Sequence, residues 1–215
     1  MITARLADLS AAALEPDVAI VGAGAVGIAL AVLLARQGLK VTLIEGGPAQ
    51  PPVAYRTANA AGSTGRTHLG LSEGRMKALG GTTRLWGGQL MAFGPSDLAA
   101  ETYPGKPGWP ISHAELSAAT DRALDLLGIP AALKNPAAVY RSATGDLPDL
   151  GDGLELAIAA WLPQPDFVRL FGNDLKQLAG LAVLTAHPLS QIEFAAPGSA
   201  AALLCLFASL RESMV

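Results

Sequence analysis

The chain has 215 residues, of which 51% are hydrophobic and 15% are charged, and its formal net charge is −3. The apolar share excludes a disordered chain, and the lack of any basic block in the sequence argues against a nucleic-acid-binding protein. A single cysteine, Cys205, excludes an internal disulfide framework, and no metal-ligand spacing links the three histidines, His68, His113 and His187. This cysteine usage is typical of a reducing compartment, and we expect a cytoplasmic location.

No stretch of the sequence predicts a membrane span. Residues 1–17 lack a basic start followed by a long apolar core, so they do not have the pattern of a secretory signal. Residues 18–35 are apolar, but the glycines in this run divide it naturally into a strand and a helix. Residues 195–210 are also apolar, and we interpret them as a core or terminal helix, although Pro197 and Gly198 interrupt the run.

Residues 17–47 have the pattern of a dinucleotide-binding βαβ unit. An apolar strand over residues 18–21 runs into Gly22-Ala23-Gly24-Ala25-Val26-Gly27, and an apolar helix follows. A second strand over residues 41–44 ends on the acid Glu45. The alternative is a glycine-rich packing turn in an α/β protein that binds no cofactor.

Each part of this pattern has a physical role in binding a dinucleotide. Gly22 permits a sharp turn out of the strand, Gly24 lets a pyrophosphate approach the backbone, and Gly27 lets the helix pack close to the sheet. The helix N-terminus offers N–H groups and a positive dipole end to the phosphates, and Glu45 can accept hydrogen bonds from a ribose. The predicted cofactor-binding residues of this unit are Gly22, Gly24, Ala25, Val26, Gly27 and Glu45.

A second glycine-rich segment lies in residues 73–94, after an irregular connection over residues 48–66. Its two glycine pairs allow close backbone approach to a flat ligand, its threonines supply hydroxyl donors, and its tryptophan supplies a wall. The basic residues that precede the first glycine pair can lie near phosphates. The alternative is a surface loop with a buried tryptophan as its anchor. The candidate ligand contacts are Arg75, Gly80, Gly81, Thr82, Thr83, Trp86, Gly87 and Gly88.

The remaining elements are predicted from caps and periodicity. A helix begins at Ser96 or Asp97, and a capping box of Ser112 and Glu115 opens a longer helix over residues 113–127. Residues 130–153 are rich in prolines and aspartates and are interpreted as a loop. A short strand or helix precedes Trp161, a helix spans residues 173–178, and residues 181–194 form a strand pair or one bent strand.

Taken together, these segments resemble the N-terminal part of the glucose–methanol–choline (GMC) family of FAD-dependent oxidoreductases, over residues 14–194. The fingerprint with Glu45 and the segment RMKALGGTTRLWGGQL, residues 75–90, carry most of the resemblance. PGKPGWPISHAELSAATDRALDLLGI resembles the family's turn into a helix. DFVRLFGNDLKQLAGLAVLTAHPLSQIEF resembles its return to the FAD domain, in which Leu189 would set a main-chain amide against the adenine.

The resemblance implies an α/β fold: a Rossmann-like FAD-binding domain of the ββα type, with a mostly parallel sheet and part of a cap or substrate region. Residues 14–95 would form the first part of the FAD-binding domain and residues 96–165 a helical and loop excursion. Residues 166–194 would return to the domain, and residues 195–215 would be an atypical tail. The C-terminal substrate domain of the family has no counterpart in this sequence, and we expect an incomplete chain.

The resemblance also implies a reaction, the oxidation of a CH–OH group in an alcohol, sugar or polyol by hydride transfer to FAD. Some relatives attach the flavin through a histidine where this chain has Leu85, so noncovalent FAD is expected. The implied partners are the small-molecule substrate, an unknown electron acceptor and a complementary C-terminal chain, with no nucleic acid and no membrane.

No catalytic residue is carried over, because the family's catalytic histidine lies in the C-terminal part, and we expect the isolated chain to show no turnover. Two other functions stay open. One is a noncatalytic FAD-binding fragment or one half of a split flavoprotein. The other is an NAD-binding enzyme with the same fingerprint, in which the second glycine-rich segment would have no role.

Overall fold

The computed structural model describes residues 1–51, 64–66, 74–99, 107–151, 154, 156–196 and 199–205. From residue 193 onward, only the backbone is described. The chain divides into two units. The first comprises Met1–Trp86 and Gln164–Val215, and the second comprises Gly87–Pro163.

The described residues contain eight strands and seven α-helices. Strands β1 to β8 span, in order, Ile2–Thr3, Val18–Val21, Val41–Ile44, Gln89–Leu90, Ala160–Trp161, Leu181–Leu184, Leu189–Ala196 and Ser199–Cys205. Helices α1 to α7 span Ala11–Leu14, Ala25–Arg36, Pro95–Leu98, His113–Leu126, Pro136–Thr144, Phe167–Leu170 and Gly172–Gln177. Three short 3-10 helices cover Leu6–Asp8, Gly81–Arg84 and Ala131–Leu133.

A four-stranded parallel sheet organises the first unit, with the strand order β1-β6-β3-β2. Val21 pairs with Ile44, and Ile44 pairs with Leu184, so three strands end level at their carboxyl ends. The predicted α/β fold with a mostly parallel sheet is confirmed, and β2 and β3 have the predicted bounds. Level carboxyl ends matter because open α/β sheets bind their ligands at that edge.

The core of the first unit lies between α2 and the two inner strands. Every residue of β3 and β6 is buried, as expected for strands covered on both faces. Helix α2 buries Ile28, Ala31, Val32 and Ala35. Its other side exposes apolar side chains, since Val26, Leu30 and Leu33 are 79%, 40% and 42% exposed. Among the described strands, β2 is paired on one side only, by β3.

The second unit contains α3, α4, α5 and the antiparallel pair of β4 and β5. The capping box that opens α4 is confirmed: Ser112 Oγ accepts from Glu115 N, and Glu115 Oε2 accepts from Ser112 N. Helix α3 begins at Pro95, one residue before the predicted range of starts. The predicted loop over residues 130–153 is wrong in part, because it contains α5. The side chain of Asn135 caps this helix by accepting from Ala138 N, and Pro136 occupies its first turn.

Two expectations for the last part of the chain are wrong. Residues 181–194 lie in two strands and not in one bent strand, and these strands do not pair with each other, because β6 joins the parallel sheet while β7 pairs with β8. Residues 199–205 form strand β8, not a helix. A short apolar run can form either a strand or a helix, and pairing with a distant strand determines which of the two forms. Pro197-Gly198, a dipeptide typical of turns, separates the two strands in the sequence. The rest of the predicted helix lies outside the described residues.

In the ranges that the structure covers, no helix combines the length and the apolarity needed to cross a bilayer.

Candidate cofactor site

The fingerprint turn follows the carboxyl end of β2, and its first residue has a left-handed backbone conformation. Gly22 has φ +96, where an L side chain would be strained, and its N–H donates to Ile44 O at 2.7 Å. Gly24 is then the N-cap of α2. The first N–H groups of a helix have no intrahelical acceptor and carry the positive end of its dipole, so the turn presents donors suited to an anion.

Two glycines of the fingerprint differ in how much space surrounds them. A Cβ added to Gly27 would lie 1.9 Å from Gly22 O and 3.5 Å from Leu43 Cδ1, so helix and turn approach too closely for any side chain. A Cβ added to Gly24 would meet nothing within 4 Å. Gly27 therefore serves the packing of α2, whereas the space beside Gly24 is open.

The second glycine-rich segment packs directly on the fingerprint turn. Gly80 N donates to Ala23 O at 2.8 Å, and a Cβ on Gly81 would lie 3.1 Å from Gly24 Cα. Both glycines have a positive φ, +96 at Gly80 and +52 at Gly81. The structure thus brings the first glycine pair of the second segment onto the fingerprint turn, and a 3-10 helix begins at their contact.

Glu45 is buried at the end of β3, with 8% of its surface exposed. Its two carboxylate oxygens accept from backbone donors on either side: Oε2 from Ala23 N at 2.9 Å and Oε1 from Gly47 N at 2.7 Å. These bonds fix the carboxylate beside the fingerprint turn. Each oxygen has a second lone pair, so the group retains capacity for further donors such as ribose hydroxyls.

The hydroxyl of Thr83 is used inside the protein. It is 4% exposed, donates to Gly80 O at 2.6 Å and accepts from Phe167 N at 3.3 Å. Trp86 is anchored in a similar way, because its Nε1 donates to Pro165 O at 2.8 Å and its ring meets Phe167 edge-on at 6.1 Å. Thr82, in contrast, is exposed. Thr83 and Trp86 therefore hold the glycine segment against α6, and Thr82 is the threonine that solvent reaches.

The remaining predicted cofactor contacts are Arg75, Gly87, Gly88 and Leu189. Gly87 and Gly88 belong to the second unit, where a Cβ on Gly87 would lie 3.0 Å from the ring of Trp161 and Gly88 O accepts from Leu162 N. Arg75 is exposed, and Leu189 is the first residue of β7.

A loop that the sequence did not single out borders Glu45. It connects β6 to β7 through residues 185–188, and Ala186 has φ +60. Ala186 N donates to Gly47 O at 2.7 Å and His187 N donates to Glu45 O at 2.9 Å. The side chains of Thr185 and His187 are 0% and 3% exposed. A histidine beside a proline at a strand end has no distinctive sequence pattern, so nothing local pointed to this loop.

These residues fit a dinucleotide. The open space beside Gly24, the donors of the α2 N-terminus and the fixed carboxylate of Glu45 correspond to a pyrophosphate and a ribose. Within the described ranges, no group of three or more histidine, cysteine, aspartate or glutamate side chains is placed to hold a metal ion.

Two proteins of known structure are similar to this chain, and the first of them supports the fold. Pyridoxine 4-oxidase from Mesorbium loti is similar at 19% identity, with a TM-score of 0.54 over 90% of this chain and 46% of that one. L-amino acid deaminase from Proteus vulgaris matches at 15% identity and a TM-score of 0.41, over 88% of this chain and 44% of that one. The chain thus spans less than half the length of these proteins.

The family assignment comes from a sequence comparison. No protein of curated function matches the chain. The family model described as FAD dependent oxidoreductase matches residues 17–199, which run from the start of the fingerprint unit into β8. Because this match covers most of the chain, the protein belongs to the family of FAD dependent oxidoreductases, and its cofactor is FAD.

Proposed function

We propose that the chain is the FAD-binding part of a GMC-family oxidoreductase that oxidises a CH–OH group in an alcohol, sugar or polyol. The observation that carries this proposal is the packing of Gly81 on Gly24. Gly80 and Gly81, in one of the two segments that carry most of the resemblance to the GMC family, lie on the fingerprint turn, where the proposal requires a flavin-contacting segment. An NAD-binding unit gives no role to such a segment.

In this proposal, the residues of the chain bind and orient the cofactor. The N–H groups at Gly24, Ala25 and Val26 hold the pyrophosphate. The carboxylate of Glu45 accepts from the ribose, and the Leu189 main chain lies against the adenine. The 3-10 helix Gly81–Arg84 borders the flavin. FAD, when bound, supplies the acceptor for the hydride that leaves the carbinol carbon.

Further parts of the proposal concern attachment, partners and location. We propose noncovalent FAD, because Leu85, exposed by 37%, occupies the position at which a linking histidine would stand. Arg75, Gly87 and Gly88 are proposed as additional cofactor contacts. The proposed partners are an alcohol or sugar substrate, an unidentified electron acceptor and a complementary C-terminal chain. A cytoplasmic location is proposed as well.

A second candidate is an FAD-binding module that turns over only with a complementary chain. None of His68, His113 and His187 matches the catalytic motif of the GMC family, and this favours the second candidate. Both candidates include FAD binding, and they differ in what the bound flavin does when substrate is added.

The first experiment tests the binding site. The purified chain should carry a yellow chromophore that denaturation releases, and Gly24→Ala should lower its FAD affinity by at least tenfold, because the new methyl occupies the space of the pyrophosphate. Gly172→Ala is the matched control, since a Cβ there also meets nothing within 4 Å. A Gly24→Ala protein with unchanged FAD affinity would show that the turn holds no phosphate.

The second experiment separates the two candidates. The FAD-loaded chain is mixed anaerobically with a panel of alcohols, sugars and polyols, and the flavin absorbance is followed. Bleaching by one compound class identifies an enzyme and its substrate class. Absence of bleaching with every compound, together with tight FAD binding, favours the module, which is the result we expect for the isolated chain.

A further inference from the structure

We infer that His187 is a positioning residue for the adenosine end of FAD, acting through Glu45. This inference rests on the proposed role of Glu45 at the ribose. His187 touches neither phosphate nor flavin in the proposed binding mode, and it has no part in hydride transfer. Its role is to fix the loop of residues 185–188, which in turn fixes the carboxylate that accepts from the ribose.

The first observation is a cluster of buried polar side chains. Glu45, Thr185 and His187 are 8%, 0% and 3% exposed, and they lie together at the carboxyl edge of the sheet. Buried polar groups in native proteins are almost always hydrogen-bonded. The Nδ1 atom of His187 lies 2.7 Å from Thr185 O. A carbonyl oxygen can only accept, so Nδ1 carries the proton in this contact.

The second observation is the backbone of Ala186. Its φ of +60 makes it the one residue other than glycine with a positive φ in the described part of the chain. A residue keeps such a conformation only where its surroundings fix it, and such residues cluster at functional sites. Here the surroundings are the bond from His187 Nδ1 to Thr185 O on one side and the bond from Ala186 N to Gly47 O on the other.

The third observation connects this loop to the carboxylate. The amides of Ala186 and His187 donate to Gly47 O and Glu45 O, at 2.7 and 2.9 Å. Gly47 N donates in turn to Glu45 Oε1 at 2.7 Å. The loop also packs closely on the turn, since a Cβ on Gly46 would lie 3.3 Å from Pro188 Cα. The position of the Glu45 side chain therefore depends on the loop that His187 closes.

These contacts specify the end of the cofactor that His187 affects. Glu45 faces the fingerprint turn through its bond with Ala23 N, and Leu189 follows the loop directly in the sequence. Both belong to the proposed binding of ribose and adenine. Loss of the His187 bond should therefore weaken FAD and ADP by the same factor.

The test compares two variants of nearly equal size and polarity. His187→Asn keeps a nitrogen donor near the place of Nδ1, whereas His187→Gln places its amide nitrogen near the place of Nε2 and loses the bond to Thr185 O. Calorimetric titration with FAD and with ADP should give wild-type affinities for His187→Asn. His187→Gln should bind both ligands about tenfold more weakly, a coupling of moderate strength.

Two controls separate positioning from general destabilisation. Thr42→Val removes another buried hydroxyl from the same sheet, one that donates to Ala13 O at 2.6 Å. This variant should lower the melting temperature and leave the FAD affinity unchanged. In a Glu45→Gln background, the added loss from His187→Gln should largely disappear, because the group that His187 positions has already been altered.

The outcomes are distinct. Equal FAD affinity for His187→Gln and the wild type overturns the inference and leaves the proposed function intact. A loss that is undiminished in the Glu45→Gln background also overturns it, because His187 would then act independently of the carboxylate. A wild-type chain that binds neither FAD nor ADP overturns the proposed site and this inference together.

Discussion

At the scale of single residues, the candidate site is built on glycines that serve different purposes. The carbonyl oxygen of Gly22 occupies the place where Gly27 would carry a side chain, so Gly27 is required for the fold. Gly24 has open space where a side chain would project, so its lack of a side chain serves a ligand. One fingerprint therefore contains a structural glycine and a binding glycine, which can be separated by mutation.

Gly27→Ala is predicted to destabilise the protein by about 1–3 kcal/mol, because overpacking forces the helix away from the turn. Urea unfolding measures this free energy. Gly24→Ala should retain wild-type stability within about 0.5 kcal/mol in the absence of FAD. Equal stability of the Gly27→Ala protein and the wild type would contradict the assignment of Gly27 to packing.

Thr83 provides a second prediction for a single side chain. Thr83→Val is expected to destabilise the chain by about 1–3 kcal/mol, because it leaves the buried Phe167 N–H without an acceptor. Thr83→Ser keeps the hydroxyl and should recover most of this loss. The melting temperatures of the FAD-free proteins measure both effects. If serine and valine destabilise equally, the methyl group rather than the hydroxyl is what this position requires.

At the scale of elements, local patterns predicted those parts of the fold that local interactions determine. The βαβ unit has a strand, a glycine turn, a helix and a second strand in unbroken succession, and its two strands appear at the predicted residues. The capping box fixed the start of α4 for the same reason. Strand β8 was not predicted, because its alanines and leucines suit a helix as well as a strand. Its pairing with β7 makes it a strand.

The capping box predicts a local loss of helix stability. Ser112→Ala removes the acceptor for Glu115 N and should destabilise α4 by about 1 kcal/mol. Amide hydrogen exchange in the first turn of α4 should accelerate accordingly, while the amides of β3 in the first unit keep their rates. Faster exchange in β3 as well would indicate an effect that extends beyond the cap.

The same box makes the stability of α4 depend on pH. Hydrogen bonds from the backbone and side chain of Ser112 lower the pKa of Glu115 from its ordinary value of 4.5. A carboxyl whose pKa is lowered by folding stabilises the folded state above its unfolded pKa, and this contribution disappears as the pH falls through the folded pKa. The protection factors of the α4 amides, which are exchange rates corrected for the intrinsic effect of pH, should therefore fall on acidification below pH 4.5.

The matched pair for this prediction is Glu115→Gln and Asp121→Asn, both exposed on α4. Glu115→Gln should reduce the acid-induced loss of protection, because the titrating group has been removed. Asp121→Asn should retain it, because this carboxyl is outside the box. An identical acid response in the Glu115→Gln protein and the wild type would assign the effect to other groups.

At the scale of the whole molecule, the candidate site depends on contacts between distant parts of the sequence. The roles of Gly22, Gly24 and Gly27 follow from their spacing, but the packing of Gly81 on Gly24 requires the folded chain. The contact of His187 with Glu45 likewise joins the loop after β6 to the end of β3. Spacing within a motif predicts a turn and its ligand class. The residues that pack on the motif and hold it in place are set by tertiary structure.

Helix α2 allows a prediction about how the first unit tolerates charge. Leu30→Glu lies on the exposed side of the helix and should change stability by no more than about 0.5 kcal/mol. Val32→Glu introduces a carboxylate at a position with no exposed surface, and it should prevent cooperative folding. Circular dichroism during urea unfolding distinguishes the two. Equal tolerance at both positions would place Val32 outside the core.

The outer side of β2 has a practical consequence for handling the protein. An apolar strand whose backbone amides and carbonyls are open to solvent is a template on which another strand can add. β2 reads Val-Ala-Ile-Val, Val21 is 47% exposed, and no strand in the described part of the chain pairs with the outer side of β2. Stock concentration, more than thermal stability, is thus expected to limit preparations of the isolated chain, and association should increase on concentration well below the melting temperature.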